Sequence, residues 1–190
     1  IPAQYGGRVS SILDVKMKEG NSKKLEINGG VGVIFSRFSI EAPIIKDKAS
    51  FIFAARRSYI DILAKPFLTG NNANASFNFY DLTAKVNYNI NAKNTVFLSG
   101  YFGRDVFGTS FGFNWGNVTI SSRWNHVFSE KLFMNATAFY SNYDYLLDSD
   151  IENKRPSDSF KWSSNIENLS IKPDFTYYVN PTNTINFGGQ

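Results

Sequence analysis

The chain has 190 residues and a formal net charge of +4, with 18 Phe, 10 Tyr, 6 Pro and no Cys. The lack of Cys excludes a disulfide framework, a thiolate metal site and a cysteine nucleophile. The basic residues occur singly or in pairs, without the stripe that phosphate tracking requires, so the sequence predicts no nucleic-acid partner. No apolar run reaches the roughly 18 residues of a membrane-spanning helix.

The first predicted element is a strand within QYGGRVSSILDVKMKEG, residues 4–20. Two glycines precede its alternating part, and Gly20 with Asn21 ends it. Nothing before it in the sequence could supply neighbouring strands, so we expect that its partners lie outside these residues.

Alternation with a period of two dominates the rest of the chain. The clearest case is DLTAKVNYNI, in which the side chains of Leu82, Val86 and Ile90 share one face while Lys85 and Asn87 lie on the other. The same period predicts nine strands, and the ninth, TINFGGQ, is expected to be cut short by the end of the chain. The apolar positions of the other predicted strands are Leu25, Ile27, Val31, Val33; Phe38, Ile40, Ala42, Ile44; Phe51, Phe53, Ala55; Val96, Leu98, Gly100, Phe102; Val118, Ile120, Trp124; Leu132, Met134, Ala136, Ala138, Tyr140; and Leu169, Ile171, Phe175, Tyr177, Val179.

Short and long connections alternate between these strands. The short ones are predicted at 45–48, 91–94, 129–131 and 180–183, and the long ones at about 64–79, 108–117 and 148–165. Strands of about ten residues with turns at one end and loops at the other are typical of outer-membrane barrels. The sequence therefore predicts an all-β, antiparallel up-and-down meander: about nine strands of a larger transmembrane β-barrel, open in this fragment.

Aromatic residues near both strand ends predict two interfacial girdles. The expected girdle residues are Tyr88, Trp124, Phe128, Tyr177 and Tyr178 near the turns, and Phe102, Phe107, Tyr140, Tyr143 and Tyr145 near the loops. Alternation alone does not separate a barrel from a soluble antiparallel sandwich, whose apolar faces point into a shared core, so that alternative stays open.

The sequence predicts neither an enzyme nor a cofactor or metal site. The single histidine, His126, lies between Trp124 and Phe128 and is interpreted as an interface residue, because a histidine site needs partners that are missing. The segment DSDIE at 148–152 carries three carboxylates but lacks the Gly and the final Glu of a calcium loop, so we interpret it as a solvated loop.

The opening segments resemble a known family. YGGRVSSILDVKMKEG, followed by GGVGVIFSRFSIEAPIIKDKASFIFAARRSYIDILAKP, resembles TonB-dependent outer-membrane receptors of the Bacteroidota type over about residues 4–66. The resemblance implies that 1–22 are the C-terminal strand of a plug domain with its linker, and that 23–190 are the N-terminal part of the barrel.

The resemblance also implies a function in the bacterial outer membrane. Receptors of this family take up a scarce solute, such as a siderophore, cobalamin or a glycan, with energy delivered through TonB. The implied partners are outer-membrane lipid, the remainder of the plug and barrel, and the TonB system through an N-terminal part that this chain lacks. The fragment itself is not expected to transport. A passive porin fragment and a soluble carbohydrate-binding or adhesive β-domain remain as alternatives.

Charged residues within predicted strands suggest where such a plug would be held. Arg37, Glu41 and Arg56 fall opposite apolar neighbours and are expected to face the lumen, because an Arg facing lipid near the midplane costs about 2–4 kcal/mol. One interpretation is that they solvate the lumen or pair with one another, and the alternative hypothesis is that they form ion pairs with the plug. The candidate counterparts in the predicted plug strand are Arg8, Asp14 and Lys16.

Overall fold

The fold was analysed in a computed structural model that describes residues 15–70, 75–108, 111–149 and 160–190. These residues form one open sheet of nine antiparallel strands, and each strand pairs with the next one in sequence. The all-β meander predicted from the alternation is confirmed. The strands are β1 (Glu26–Val31), β2 (Phe35–Ile45), β3 (Ala49–Ser58), β4 (Ser76–Asn91), β5 (Asn94–Gly108), β6 (Gly112–Val127), β7 (Leu132–Ser149), β8 (Phe160–Asn180) and β9 (Asn183–Gly188).

Tight turns join the strands at one end of the sheet, which we call the turn end. They lie at 46–48, 92–93, 128–131 and 181–182. In the first of these turns Asp47 adopts a φ of 59°, a left-handed conformation that Asp tolerates better than most residues. The amide of Lys48 then donates to the carbonyl of Ile45 at 3.0 Å and closes the turn.

The opposite end, which we call the loop end, differs from the sequence interpretation. The connection after β3 contains a short helix, α1 (Ile60–Ala64), and one turn of 3-10 helix, Lys65–Phe67. The long connection expected at 108–117 is wrong, because β6 begins at Gly112 and continues through this region. Gly and Asn in FGFNWGN suggested a loop, but Gly108 pairs with Gly112 and Phe107 with Phe113, which extends the ladder. Six of the nine strands, β2 and β4 to β8, are longer than ten residues, and β8 has 21.

The register gives the sheet two chemically different faces. Directly paired residues share a face, and neighbours along a strand alternate. One face, which we call the apolar face, carries Phe38 of β2, Phe53 of β3, Ala84 of β4, Gly100 of β5 and Ile120 of β6. The other, which we call the polar face, carries Glu41, Lys85 and Ser99, among others.

The apolar face is exposed, which is the reverse of the usual arrangement in a folded sheet. Among the described residues, the buried apolar side chains are only Ala49, Phe97 and Met134. Large apolar side chains remain exposed on the apolar face, including Leu98 at 54% and Leu169 at 77%. A folded sheet normally buries its apolar face against another layer. In the described part of the chain, no second layer covers this face.

Each of the two expected girdles has only some of its residues on the apolar face. Tyr88, Trp124 and Tyr177 do lie on the apolar face near the turns. Phe107, Tyr143 and Tyr145 near the loops, and Tyr178 near a turn, lie on the polar face instead. The sequence interpretation was wrong for these four because nearness to a strand end says nothing about which face a side chain takes.

Within the described residues, no helix combines the length and the hydropathy that a membrane crossing would need.

The register predicts a specific cross-link. Ser99 and Ser121 are direct partners, with their Oγ atoms 2.7 Å apart. Because the native chain has no Cys, the double variant Ser99→Cys/Ser121→Cys should form a disulfide on mild oxidation, detectable by mass spectrometry of the digested protein. The matched pair Ser99→Cys/Ser122→Cys should stay reduced, because Ser122 faces the opposite side. A disulfide in the second pair instead of the first would mean that the register is shifted by one residue.

Candidate functional site

A segment before the first strand lies across the polar face. Residues 15–24, which we call the covering segment, belong to no strand or helix. The strand expected at 4–20 is therefore absent from its described part, residues 15–20. The segment is held by side chains and a turn of the sheet rather than by a backbone ladder.

Two lysines hold the segment through charge. The Nζ of Lys18 donates to Oε1 of Glu41 at 2.6 Å, and the Nζ of Lys85 donates to the carbonyl of Met17 at 3.0 Å. Lys85 also lies 3.7 Å from Oε1 of Glu19. The two sheet residues are buried, with Glu41 at 3% and Lys85 at 6% exposure. A buried charge is costly without a partner, so these two residues favour the docked segment.

Uncharged contacts fix the next residues of the segment. Oγ of Ser50 lies 2.7 Å from the carbonyl oxygen of Gly20 and 2.6 Å from Oδ1 of Asn87. A hydroxyl has one proton, so both bonds form together if the Asn87 amide is turned and its N–H donates to Ser50. The amide of Asp47 donates to the carbonyl of Ser22 at 3.0 Å.

Gly20 marks the closest approach of the segment to the sheet. A Cβ at this position would overlap the carbonyl oxygen of Phe51. The obstacle is backbone that is already part of the ladder, so it cannot move aside as a flexible side chain would. The segment can reach Ser50 only because residue 20 has no side chain.

The ion pair between Lys18 and Glu41 joins an exposed side chain to a buried one. Lys18 is 68% exposed at its side chain, whereas Glu41 is 4% exposed. The hydrogen bond to Glu41 raises the pKa of Lys18 above the ordinary lysine value, against a smaller opposing effect of desolvation. A raised pKa means that this contact is present at neutral pH and is lost only as the pH rises through the elevated value.

The polar face has more bonding capacity than the covering segment uses. Four buried side-chain atoms lack a partner among the described residues: Oε2 of Glu41, Nε of Arg123, Oδ1 of Asn125 and Oγ of Ser170. All four residues lie on the polar face by the register. Arg123 lies over one side of the Phe97 ring at 4.5 Å, and Lys85 lies 5.1 Å from the same ring.

Only some of the site residues predicted from the sequence lie at the covering segment. Glu41 holds the covering segment, but its partner is Lys18 rather than one of the expected counterparts. Lys16 lies within the segment, next to Met17. Arg8 and Asp14 lie outside the described residues.

Arg37 and Arg56, the other two residues expected to face the lumen, lie nearer the loop end. Arg56 donates from Nε and Nη2 to Oδ2 of Asp81, at 2.8 and 2.7 Å. Its guanidinium also lies 4.9 Å from the centre of the Phe79 ring. Arg37 is the direct cross-strand partner of Arg56. Arg56 is therefore paired within the sheet rather than with the covering segment.

Sequence reasoning missed Lys18, Ser50, Lys85 and Asn87. Alternation placed Lys85 and Asn87 on the polar face, but it carries no information on which polar positions a separate segment crosses. The one available signal was Gly20, whose missing side chain permits the close approach.

The contacts described above hold a peptide segment against the sheet. His126 packs against Phe128 with ring centres 4.3 Å apart, and its Nδ1 lies 2.7 Å from Oδ1 of Asn94. No cluster of three or more His, Cys, Asp or Glu that could hold a metal ion occurs in the described parts of the chain. Asp148 lies in β7, whereas the other carboxylates of DSDIE lie outside the described residues.

Comparison of the chain with protein-family models, with curated proteins and with solved structures finds no match. The site must therefore be interpreted from its own residues.

Removing the charge of Lys85 should loosen the covering segment. In Lys85→Met the side chain keeps its length but no longer donates to Met17, and a hydrogen bond to a charged group contributes about 1.5–3 kcal/mol. We expect amide exchange at residues 16–21 to accelerate by about tenfold or more, measured by hydrogen exchange and mass spectrometry. Lys46→Met, in the exposed first turn, is the control. Unchanged exchange in Lys85→Met would show that the segment is held in another way.

Adding one methyl group at Gly20 should have a similar effect for a steric reason. In Gly20→Ala the new Cβ meets the Phe51 carbonyl, so the segment must lift away from Ser50. We expect faster proteolysis after Lys18 or Lys16 in limited trypsin digestion. The matched control is Gly189→Ala, because a Cβ at Gly189 meets nothing within 4 Å. Equal digestion of both variants would contradict the close approach at Gly20.

Proposed function

We propose that the chain is part of an outer-membrane TonB-dependent receptor for active uptake of a scarce solute. In this proposal, residues 1–22 are the end of the plug and its linker, and residues 23–190 are the first barrel strands. The observation that carries the proposal is the inverted burial: polar groups are buried under the covering segment while the apolar face is exposed. The sequence resemblance over residues 4–66 supports the same assignment.

The apolar face has the dimensions of a lipid-facing band. In β8 it extends from Leu169 to Tyr177, about 26 Å along the strand at ~3.3 Å per residue. A strand tilt of 35–45° reduces this to a height of about 20 Å, near the ~25 Å apolar band of outer-membrane barrels. Towards the loop end the same face becomes charged, with Arg104 and Asp144 in an ion pair at 2.9 Å. That change supports a boundary between lipid and water at this level.

The polar face supports the other half of the proposal. A barrel wall that encloses a plug needs polar groups that bind a separate segment, and Glu41, Ser50 and Lys85 bind the covering segment in this way. A soluble sandwich would instead bury Leu98 and Leu169 in a shared core. The sheet also leaves β1 and β9 each with an unpaired edge among the described residues. Lipid does not tolerate such edges, so the proposal includes further strands and no transport by this chain alone.

Spin labels at adjacent positions test the membrane assignment. In the complete protein, reconstituted in lipid, a label at Leu98→Cys should collide with oxygen, which concentrates in lipid. The matched label at Ser99→Cys, one residue along on the other face, should not show this preference. Collision of the Leu98→Cys label mainly with a water-soluble nickel chelate would contradict a lipid-facing band.

Conductance separates a receptor from a passive porin. Deleting residues 1–22 and the chain that precedes them should convert a plugged barrel into an open channel, so conductance in planar bilayers should rise severalfold. A porin needs no such plug, and its conductance should stay the same. An unchanged conductance in a folded deletion variant would therefore favour the porin.

A further inference from the structure

The loop end of the polar face carries a continuous line of aromatic and apolar side chains. Five residues are direct cross-strand partners in successive strands, and we call them the aromatic row: Phe77, Phe107, Phe113, Leu147 and Trp162. With neighbouring strands about 4.8 Å apart, the row is roughly 19 Å long. Its rings contact one another and the next row, for example Phe77 and Phe107 with centres 4.9 Å apart, and Tyr145 and Trp162 at 6.1 Å.

The aromatic row is not explained by contact with lipid. It lies on the polar face, whereas the proposed lipid-facing band lies on the other side of the sheet. Three residues nearer the turn end, about 10 Å along the strands, the apolar face carries the Arg104–Asp144 pair, which makes two hydrogen bonds at 2.9 and 3.0 Å. A charged pair of this kind marks a level outside the hydrocarbon. Contact with the lipid interface therefore does not account for the aromatic row.

The aromatic row is also not a closed core. Phe107 is 49% exposed and Trp162 is 54% exposed. Helix α1 contacts the sheet through Asn78, whose Nδ2 lies 3.3 Å from Oδ2 of Asp61, but Asn78 is on the opposite face from Phe77. The described residues leave the β5–β8 part of the row open. Exposed aromatic rings in a line are a surface on which flat rings can stack.

The charge beside the aromatic row selects among ring-bearing ligands. In the next row towards the turn end, Asp105 lies between Phe79 and Trp115, followed by Tyr145 and Ser164. In the described residues, Asp105 is the one charged group of these two rows. The guanidinium of Arg56 nearby is already paired with Asp81 at 2.7 Å. An anionic ligand would meet an unfavourable charge, whereas a neutral ring with hydroxyl groups could donate to Asp105 and bond to Ser164.

We propose that the aromatic row and Asp105 form a binding surface for a neutral oligosaccharide. Sugar rings would place their C–H faces on Phe107 and Trp162, where the negative π face attracts them, and their hydroxyl rims towards Asp105. The length of the row accommodates several consecutive sugar rings. This inference rests on the proposed function, since it names the class of solute that the receptor would take up.

Calorimetry on the complete protein in detergent tests this surface. The probes are the neutral hexasaccharides of α-glucose, β-glucose, β-mannose and β-xylose, with a ferric tris-catecholate as an anionic aromatic comparator. At least one hexasaccharide should bind with a Kd below about 1 mM, and the tris-catecholate should bind more weakly. Trp162→Ala and Phe107→Ala should each weaken saccharide binding by about five- to tenfold, while Trp162→Phe, which keeps a ring, should lose less.

A matched variant shows whether the effect is local. Phe102→Ala removes a ring from the apolar face of the same strand as Phe107 and should leave saccharide binding unchanged. No binding by any of the four hexasaccharides, tighter binding of the tris-catecholate, or an equal loss in Phe102→Ala would each overturn the inference. The spin-label and conductance results do not depend on any saccharide, so failure here is distinguishable from failure of the proposed receptor.

Discussion

Unbroken antiparallel pairing from β1 to β9 is the constraint on which the other features depend. Each strand pairs directly with the next one along the chain, so every residue has a fixed height and a fixed face. Since the side-chain period is two, a shift of one residue in any pair would exchange the two faces of that strand. Leu98 and Lys85 would then change environments, and neither the exposed apolar face nor the buried charges would persist.

The two faces create two different energetic problems. The apolar face has no second layer in the described residues, so its stability depends on a partner of low polarity. The polar face holds charges that are expensive to bury alone. The covering segment lowers the cost of burying these charges, because Lys18 provides a cation for Glu41 and Met17 provides a carbonyl for Lys85. The unpaired atoms of Arg123 and Ser170 show that this effect extends over only part of the face.

The polar face also changes in character along the strands. Near the turn end it offers hydrogen-bonding and charged groups to the covering segment, and near the loop end it offers rings with one flanking carboxylate. These two regions are separated by the Arg56–Asp81 pair, which satisfies its own charges. One face therefore provides an anchor for a peptide at one level and a stacking surface at another, and the strands are long enough to hold both.

The sequence by itself determined the nine strands of the sheet and their two faces, because side chains alternate with a period that a short window reveals, although the same alternation wrongly predicted a strand through residues 15–20. It therefore placed Arg37, Glu41 and Arg56 opposite their apolar neighbours. It did not determine the strand ends at the loop end, where Gly and Asn in FGFNWGN are compatible with either a loop or a ladder until the partner strand is known.

Only the tertiary structure decided which polar residues meet the covering segment and which aromatic residues line up. Lys18 reaches Glu41 across 23 positions, and Lys85 reaches Met17 across 68. The aromatic row joins residues from five strands, and it exists only because the register brings them to one height. Such contacts depend on distances between strands that are far apart in sequence, and no local pattern encodes those distances.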